Sequence, residues 1–444
     1  MPVKHSGFEV SHCPIDDTLE LIGLRRMHFY VILMCASSYF AAGAEFMILA
    51  FIGREVQRDL EISITTFASI ASISAAVAFS AGLIFGRFAD KFGRRLPFLT
   101  AQIFVCIFGL GCALAPNFGI FLFCRCAVAV GLGGLQAIDY ILLLEIVPPS
   151  KKAFCGQLVF FAGCVGLVFL AALNLWLPES LVRWRILTAA AALATVPSLI
   201  LRMFMNFETP RWLLAAGRIS EAREILVKFA GDPKLVPQDL KISSQPTCGF
   251  SEIFSGQFKR VTFPLASIWI VQGFVFSGSS MFMKEVLTQA ATPADLIYFA
   301  LAVAELPGVI AAGIISHKIS RAFTLRLFYS LATIAASSAA LAAFCGSQTW
   351  LAVAVCAFYG LHVPCWGLLF LLTPECYPSK LKATAVGFVS VGKQLAAIAG
   401  PMVSQILVKN QDPGMFMTVW ASILAGGALC AAAWLRVPSR QNWL

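Results

Sequence analysis

Charge is scarce in this chain. Asp, Glu, Lys and Arg make up 13% of its 444 residues, against roughly 25% in soluble domains. That is too little polar surface for a globular domain in water, and the hydrophobic share of 59% makes lipid the solvent the composition asks for. No Asn-x-Ser/Thr acceptor occurs, so nothing marks a loop as glycosylated. The 14 cysteines lack paired metal-ligand spacing; Cys106, Cys112, Cys124, Cys126, Cys155 and Cys356 sit in apolar runs and read as small packing residues. Neither a nucleophile with its base nor a metal cluster appears, so we expect no enzyme, no cofactor and no metal. The first 26 residues carry His5, Asp16, Asp17, Glu20 and Arg25 but no apolar core, which makes them a polar tail and not a cleaved signal peptide.

Long apolar runs, by contrast, are abundant. Twelve stretches of the length that spans a bilayer, about 20 residues, fall at 27–52, 64–86, 96–116, 118–147, 153–177, 184–204, 261–287, 294–315, 323–345, 350–374, 382–408 and 414–435. With both termini in the cytoplasm, most of the 33 Lys and Arg residues fall on cytoplasmic segments, the positive-inside pattern. The net charge of +10 is then orienting charge and gives no reason to expect nucleic acid.

Two signatures recur. Gly86 to Arg94 around Asp90 is echoed by Gly313 to Arg321 around His317. Glu145-Ile146-Val147-Pro148 with Lys152-Ala153 is echoed by Glu375-Cys376-Tyr377-Pro378 with Lys382-Ala383. Both offsets are about 230 residues, which implies duplicated six-span halves. The fold class expected is therefore an all-α membrane protein of twelve transmembrane helices in two pseudo-symmetric six-helix bundles. Its parts are a cytoplasmic tail 1–26, a bundle 27–204, a cytoplasmic linker 205–260, a second bundle 261–437 and a tail 438–444. Within the linker, Thr209-Pro210-Arg211-Trp212-Leu213-Leu214 and Glu221-Ala222-Arg223-Glu224-Ile225-Leu226 have Pro at a helix start and apolar residues at helical spacing, so short amphipathic helices are expected on the inner membrane face.

The segment Gly86-Arg87-Phe88-Ala89-Asp90-Lys91-Phe92-Gly93-Arg94-Arg95 resembles in full the G-x-x-x-D-x-x-G-R-R motif of the major facilitator superfamily. Its glycines permit a tight turn and close helix approach, and Asp90 near a helix end can pair with neighbouring cations. Four further segments are similar to the organic-ion and synaptic-vesicle-protein-related branch, which also resembles sugar porters. They are Arg125 with Gly131, Gly133 and Gly134; Glu305-Leu306-Pro307-Gly308; Glu208 to Leu214; and Thr373 to Pro378. The resemblance covers roughly 19–437. The chain departs from the branch at Ala42 and Gln394, where ionisable residues are usual, with Lys393 one residue earlier and turned by about 100°. Its short loop at about 53–63 and its incomplete seventh-span pattern (Gln272, Ser277, Gly278) favour the vesicle-protein-related and nicotinate-carrier-like subgroup.

An ionisable group near a helix centre costs about 2.5–3.5 kcal/mol on insertion scales, so each asks for a cavity, a partner or a function. Glu305, Glu45 and Asp139 are candidates for proton coupling or switching, and Glu305 is equally well read as a structural carboxylate bonded between the halves. Substrate-cavity candidates are Arg125, Gln136, Tyr140, Trp269, Gln272, Phe276, Tyr359, His362, Trp366, Lys393 and Gln394. Arg125 is open to a second reading as a packing cation, Lys393 as a side chain reaching for the interface, and the aromatics as packing. The resemblance implies a cytoplasmic gate of Gly86, Asp90, Gly93, Arg94, Arg95, Glu145, Lys152, Glu208, Arg211, Arg321, Glu375 and Lys382, asymmetric because His317 replaces the aspartate.

The resemblance further implies a secondary active carrier of a small organic solute (organic ion, vitamin-like or sugar-like) working by alternating access, with protons as candidate partner. The alternatives are a facilitative uniporter with a structural Glu305 and a non-transporting receptor or vesicle membrane protein. The expected partners are the solute and the lipid bilayer, without nucleic acid, and the protein is expected to be a monomer. Asp17-Thr18-Leu19-Glu20-Leu21-Ile22 matches an acidic di-leucine sorting signal and equally an interfacial helix start, which leaves plasma membrane and endomembrane vesicle both open.

Overall fold

The computed structural model of the chain describes residues 14–238, 240, 250–255, 258–287, 294–377, 382–409 and 412–434. The helices are α1 (Pro14–Ile22), α2 (Arg26–Asp59), α3 (Ile64–Phe92), α4 (Arg95–Ala113), α5 (Phe118–Ile146), α6 (Lys152–Trp176), α7 (Arg183–Leu193) and α8 (Val196–Phe204). After the short α9 (Pro210–Ala215) and α10 (Ile219–Ala230) come α11 (Lys259–Leu287), α12 (Ala294–Lys318), α13 (Arg321–Phe344), α14 (Gln348–His362), α15 (Pro364–Glu375), α16 (Lys382–Lys409) and α17 (Pro413–Trp434). No strand occurs among the described residues.

Polar residues punctuate the apolar runs. Ser63, Asn117 and Ser320 each accept a hydrogen bond from a backbone N–H three residues on, at 3.1, 3.0 and 3.2 Å, and so cap α3, α5 and α13. Two runs are interrupted. The sixth breaks between α7 and α8 ahead of Pro197, and the tenth between α14 and α15 at Pro364, because a proline supplies no N–H and crowds the carbonyl four residues back. Taking those halves together, eleven segments among the described residues are long and apolar enough to cross a membrane. The twelfth, α16, is 28 residues long and carries Lys393 and Gln394 in mid-helix.

Helices α2 to α8 pack as one bundle, with α3 and α4 on α5 and α2 on α6. Helices α11 to α17 form another, with α11 on α16 and α13 between α14 and α17. The seam between them is made by α6 against α12 and α3 against α16, with α2 touching α11 and α6 touching α15. Large apolar side chains such as Leu83, Ile84, Ile107, Phe123, Ile310 and Ile334 stand exposed on the outside of the bundles, where acyl chains cover them.

Two boundaries differ from the sequence expectation. The first span runs on from 52 to Asp59 because the polar turn is paired: Glu55 holds Arg183, and Asp59 accepts from Trp184 Nε1 at 3.2 Å and Arg185 Nη2 at 2.9 Å. The following loop shrinks to 60–63. Within the expected polar tail, residues 14–22 are helical, and Ile15, Leu19 and Ile22 are buried against Leu213, Leu214, Ala222 and Leu226 of α9 and α10. Spacings of four and three put those apolar residues on one helix face. The linker thus acquires a small apolar core of its own.

Candidate functional site

Lys393, half-buried at mid-α16, stands in the seam. Its Nζ lies 5.3, 5.9 and 6.0 Å from the ring centroids of Trp366, Phe370 and Trp269, close enough for cation–π attraction. It donates across the seam to Gln136 Oε1 of α5 at 3.1 Å, and Gln394 Nε2 donates to that same oxygen at 3.3 Å. Tyr140 completes the wall from the first bundle, its ring 5.4 Å from Phe370. Trp269 is fixed by donating Nε1 to Thr373 Oγ1 at 2.9 Å, and Phe276 packs edge-on to Trp366 at 5.9 Å. Seven of the expected cavity residues (Gln136, Tyr140, Trp269, Phe276, Trp366, Lys393 and Gln394) therefore meet at one place.

Further from the linker helices, Glu305 opens into a small cavity shared by the bundles. Met47, Phe51 and Leu167 line it from the first, and Ser280, Tyr298, Leu301, Ala302 and Tyr359 from the second. The Cys164 thiol of α6 lies beside the carboxyl group, and Tyr359 donates to Ser279 Oγ at 3.1 Å. This end of the seam is closed by Phe51 against Tyr298, ring centroids 5.4 Å apart, and by Arg183, which holds Glu55 of its own bundle and Asp295 of α12 at 3.1 Å.

The remaining membrane charges lie inside the bundles, away from the seam. Glu45 and Arg125 were expected toward the central cavity; they form an ion pair at 2.7 Å with side chains 0% and 4% exposed, because each supplies the counter-charge the other needs in low dielectric. Asp139, also expected on the cavity, accepts from Ser38 at 2.6 Å, and Ser38 accepts from Gln102 Nε2 at 2.8 Å. Gln272 and His362 are enclosed in the second bundle. Gln272 accepts from the Tyr329 hydroxyl at 2.6 Å and donates to the His362 carbonyl at 3.2 Å, and the His362 ring stacks on Phe358.

At the linker end the motif residues form one network. Arg94 donates to Asp90 at 2.9 Å and to Glu145 at 3.1 Å, while Glu145 accepts from Thr209 at 2.5 Å. Glu208 accepts from the backbone N–H groups of Arg94 and Arg95 at 2.8 and 3.0 Å and so meets the positive end of α4. Gly93 has φ +90°, and a Cβ there would strike the Glu208 carboxylate, so both backbone and space require glycine. Gly86 and Gly313 have open space around them, and the close-approach role expected of those glycines does not apply. In the second bundle Arg321 pairs with Glu375, the counterpart of Arg94 and Glu145, while His317 is exposed. The Lys382 side chain and Pro378 lie outside the described residues.

Sequence reading missed Asp16, which pairs with Arg211 and, at 3.4 Å, with Lys152. Burial pushes its carboxyl up, but Arg211 and Lys152 outweigh this and hold it below its ordinary range. Also missed were Phe370, Cys164 and the Arg183 latch. A charge at the end of an apolar run looks like any loop charge, and only the partner's place in space distinguishes it.

The profile described as Major Facilitator Superfamily matches residues 34–401. The chain is similar to the niacin transporter NiaP of Acinetobacter baylyi, 25% identical over 407 residues that cover 89% of this chain and 90% of the relative. It is also similar to the synaptic vesicle 2-related protein of Xenopus laevis, at 22% identity over 449 residues, 94% of this chain and 79% of the relative. Among solved structures, the proton:xylose symporter XylE bound to 6-bromo-6-deoxy-D-glucose superposes with a TM-score of 0.78 at 17% identity, over 93% of this chain and 96% of that one; this likeness concerns the fold.

Proposed function

We propose, from the premise that this chain belongs to the major facilitator superfamily and is a multi-pass membrane transporter of small solutes and not an enzyme, that it works as a secondary active carrier. The solute binds in the seam and is exposed to either side by rocking of the two bundles. One observation carries this reading: the ring of Lys393, Gln136, Gln394, Trp269, Trp366, Phe370 and Tyr140 takes its walls from both bundles, so separating the bundles at either end opens the site to that end. The linker end is cytoplasmic, since the basic loops gather there. Glu305 couples protons to the movement because it is a titratable group on a cavity that both bundles line.

Niacin and xylose, the solutes named for a relative and a structural neighbour, serve as tracers in reconstituted vesicles. An inward proton gradient is expected to drive accumulation, and Glu305→Gln to abolish that response while retaining exchange of tracer at equal pH. Uptake that ignores the gradient in both proteins would select the uniporter, in which Glu305 is a structural partner of Cys164. A failure of both tracers to enter above protein-free vesicles would count against carriage itself.

A further inference from the structure

We propose that the seam site takes a small organic anion with a flat ring, its carboxylate held by Lys393 and Gln394 and its ring laid against Trp366 and Phe370. The inference rests on the reading that the seam is the solute site and gives that site a charge preference.

The first ground is the missing counter-charge. Arg94, Arg125, Arg183 and Arg321 each have a carboxylate partner. Lys393, although placed at mid-span, has none among the described residues; it meets three aromatic rings and one neutral amide oxygen. Arg202 also lacks an ion pair among the described residues, but it is 1% exposed inside the first bundle against Phe98 and Phe207, where no solute reaches it. Lys393 is half-buried between the bundles, where a solute does. A membrane cation that faces a cavity without its own counter-ion marks a place for one.

The second ground is convergence. Lys393 Nζ and Gln394 Nε2, both from α16, point at the same acceptor, Gln136 Oε1, at 3.1 and 3.3 Å. That oxygen occupies the point where an oxygen of an incoming carboxylate would accept both bonds, with a charge-assisted one replacing a charge-to-neutral one. Displacing Gln136 would also break a bond between the bundles, so binding and loosening of the seam are linked.

The third ground is exclusion. An aromatic box of this kind suits a cation, but here it already holds the protein's own ammonium group. A cationic solute would meet a like charge, and a neutral one would gain nothing from Lys393, so discrimination comes from a repulsive element as well as an attractive one.

The test uses three probes with one ring and three charges: benzoate, benzamide and benzylamine, titrated onto the purified full chain in detergent with thermal stability and tryptophan fluorescence as readouts. Benzoate is expected to bind at least about tenfold tighter than the other two; Lys393→Gln should erase that preference and Lys393→Arg keep it. Equal binding of the three, no binding of benzoate, or an unchanged preference in Lys393→Gln would overturn the proposal. Should Lys393→Gln not fold, the wild-type ranking and Lys393→Arg decide. Benzoate that binds but never crosses a vesicle membrane would sink the carrier reading alone, whereas transport of xylose without benzoate binding would sink this inference alone.

Discussion

Arg125 and Glu45 meet at 2.7 Å with almost no exposure, and the pair gains its meaning from what happens when it is broken. Removing one partner of a buried ion pair leaves an uncompensated charge and typically costs about 3–5 kcal/mol, whereas replacing both by apolar groups of similar volume is close to neutral. Arg125→Met and Glu45→Met are each expected to lower the melting temperature of the purified protein sharply, and the double variant to recover most of the loss. An additive double variant would mean that the two charges do not support one another. That these residues carry charge into the membrane was legible in the sequence. Their destination was not, since helical periodicity separates lipid-facing from protein-facing positions without telling the interior of a bundle from the seam. Asp139 illustrates the point: its partner Ser38 lies on another span and has no sequence signal of its own.

At the scale of single elements, two contacts tie moving parts together. Arg183 joins α7 to Glu55 on α2 and Asp295 on α12, so it latches the end of the seam away from the linker. Arg183→Ala is expected to raise the rate at which a membrane-impermeant maleimide labels Tyr298→Cys, and an unchanged rate would remove the latch from the account.

Helix α1 is the second case. Its apolar face sits on the linker core, and Asp16 reaches Arg211 and Lys152. Because those cations hold the Asp16 carboxyl below its ordinary range despite burial, its contribution to docking is complete above the ordinary carboxylate pKa, about 3.9, and is lost as pH falls through the lower folded value. Asp16→Asn should therefore speed proteolysis between Ile22 and Arg26 at neutral pH, and wild type should approach the variant only in strong acid. Equal cleavage of both at neutral pH would contradict this. The di-leucine pattern in α1 is affected too, since Ile22 is buried while Leu21 is exposed; a short motif in the sequence says nothing of which of its residues face out.

For the molecule as a whole, the twelve spans, the duplication and the motif loop were legible because bilayer thickness fixes helix length and duplication leaves paired signatures. The seam was legible only as a set of suspects. Lys393 and Gln136 are far apart in sequence and on spans that no local pattern connects, and the box around them exists only once the two bundles are placed side by side. The bundles are also unequal: Arg94 has Asp90, Glu145 and the capping Glu208 around it, while His317 stands exposed where the first half has its aspartate. The account's central claim is that solute crosses only when the bundles rock apart at each end in turn, and the most direct measurement fixes one end. Phe51 and Tyr298 touch across the seam; cysteines at both positions, in a background without other reactive thiols, would be bridged by a short reducible cross-linker in vesicles that accumulate a tracer solute. The account predicts that the cross-link stops uptake and that reduction restores it, and uptake that continues undiminished with the bundles linked would contradict it.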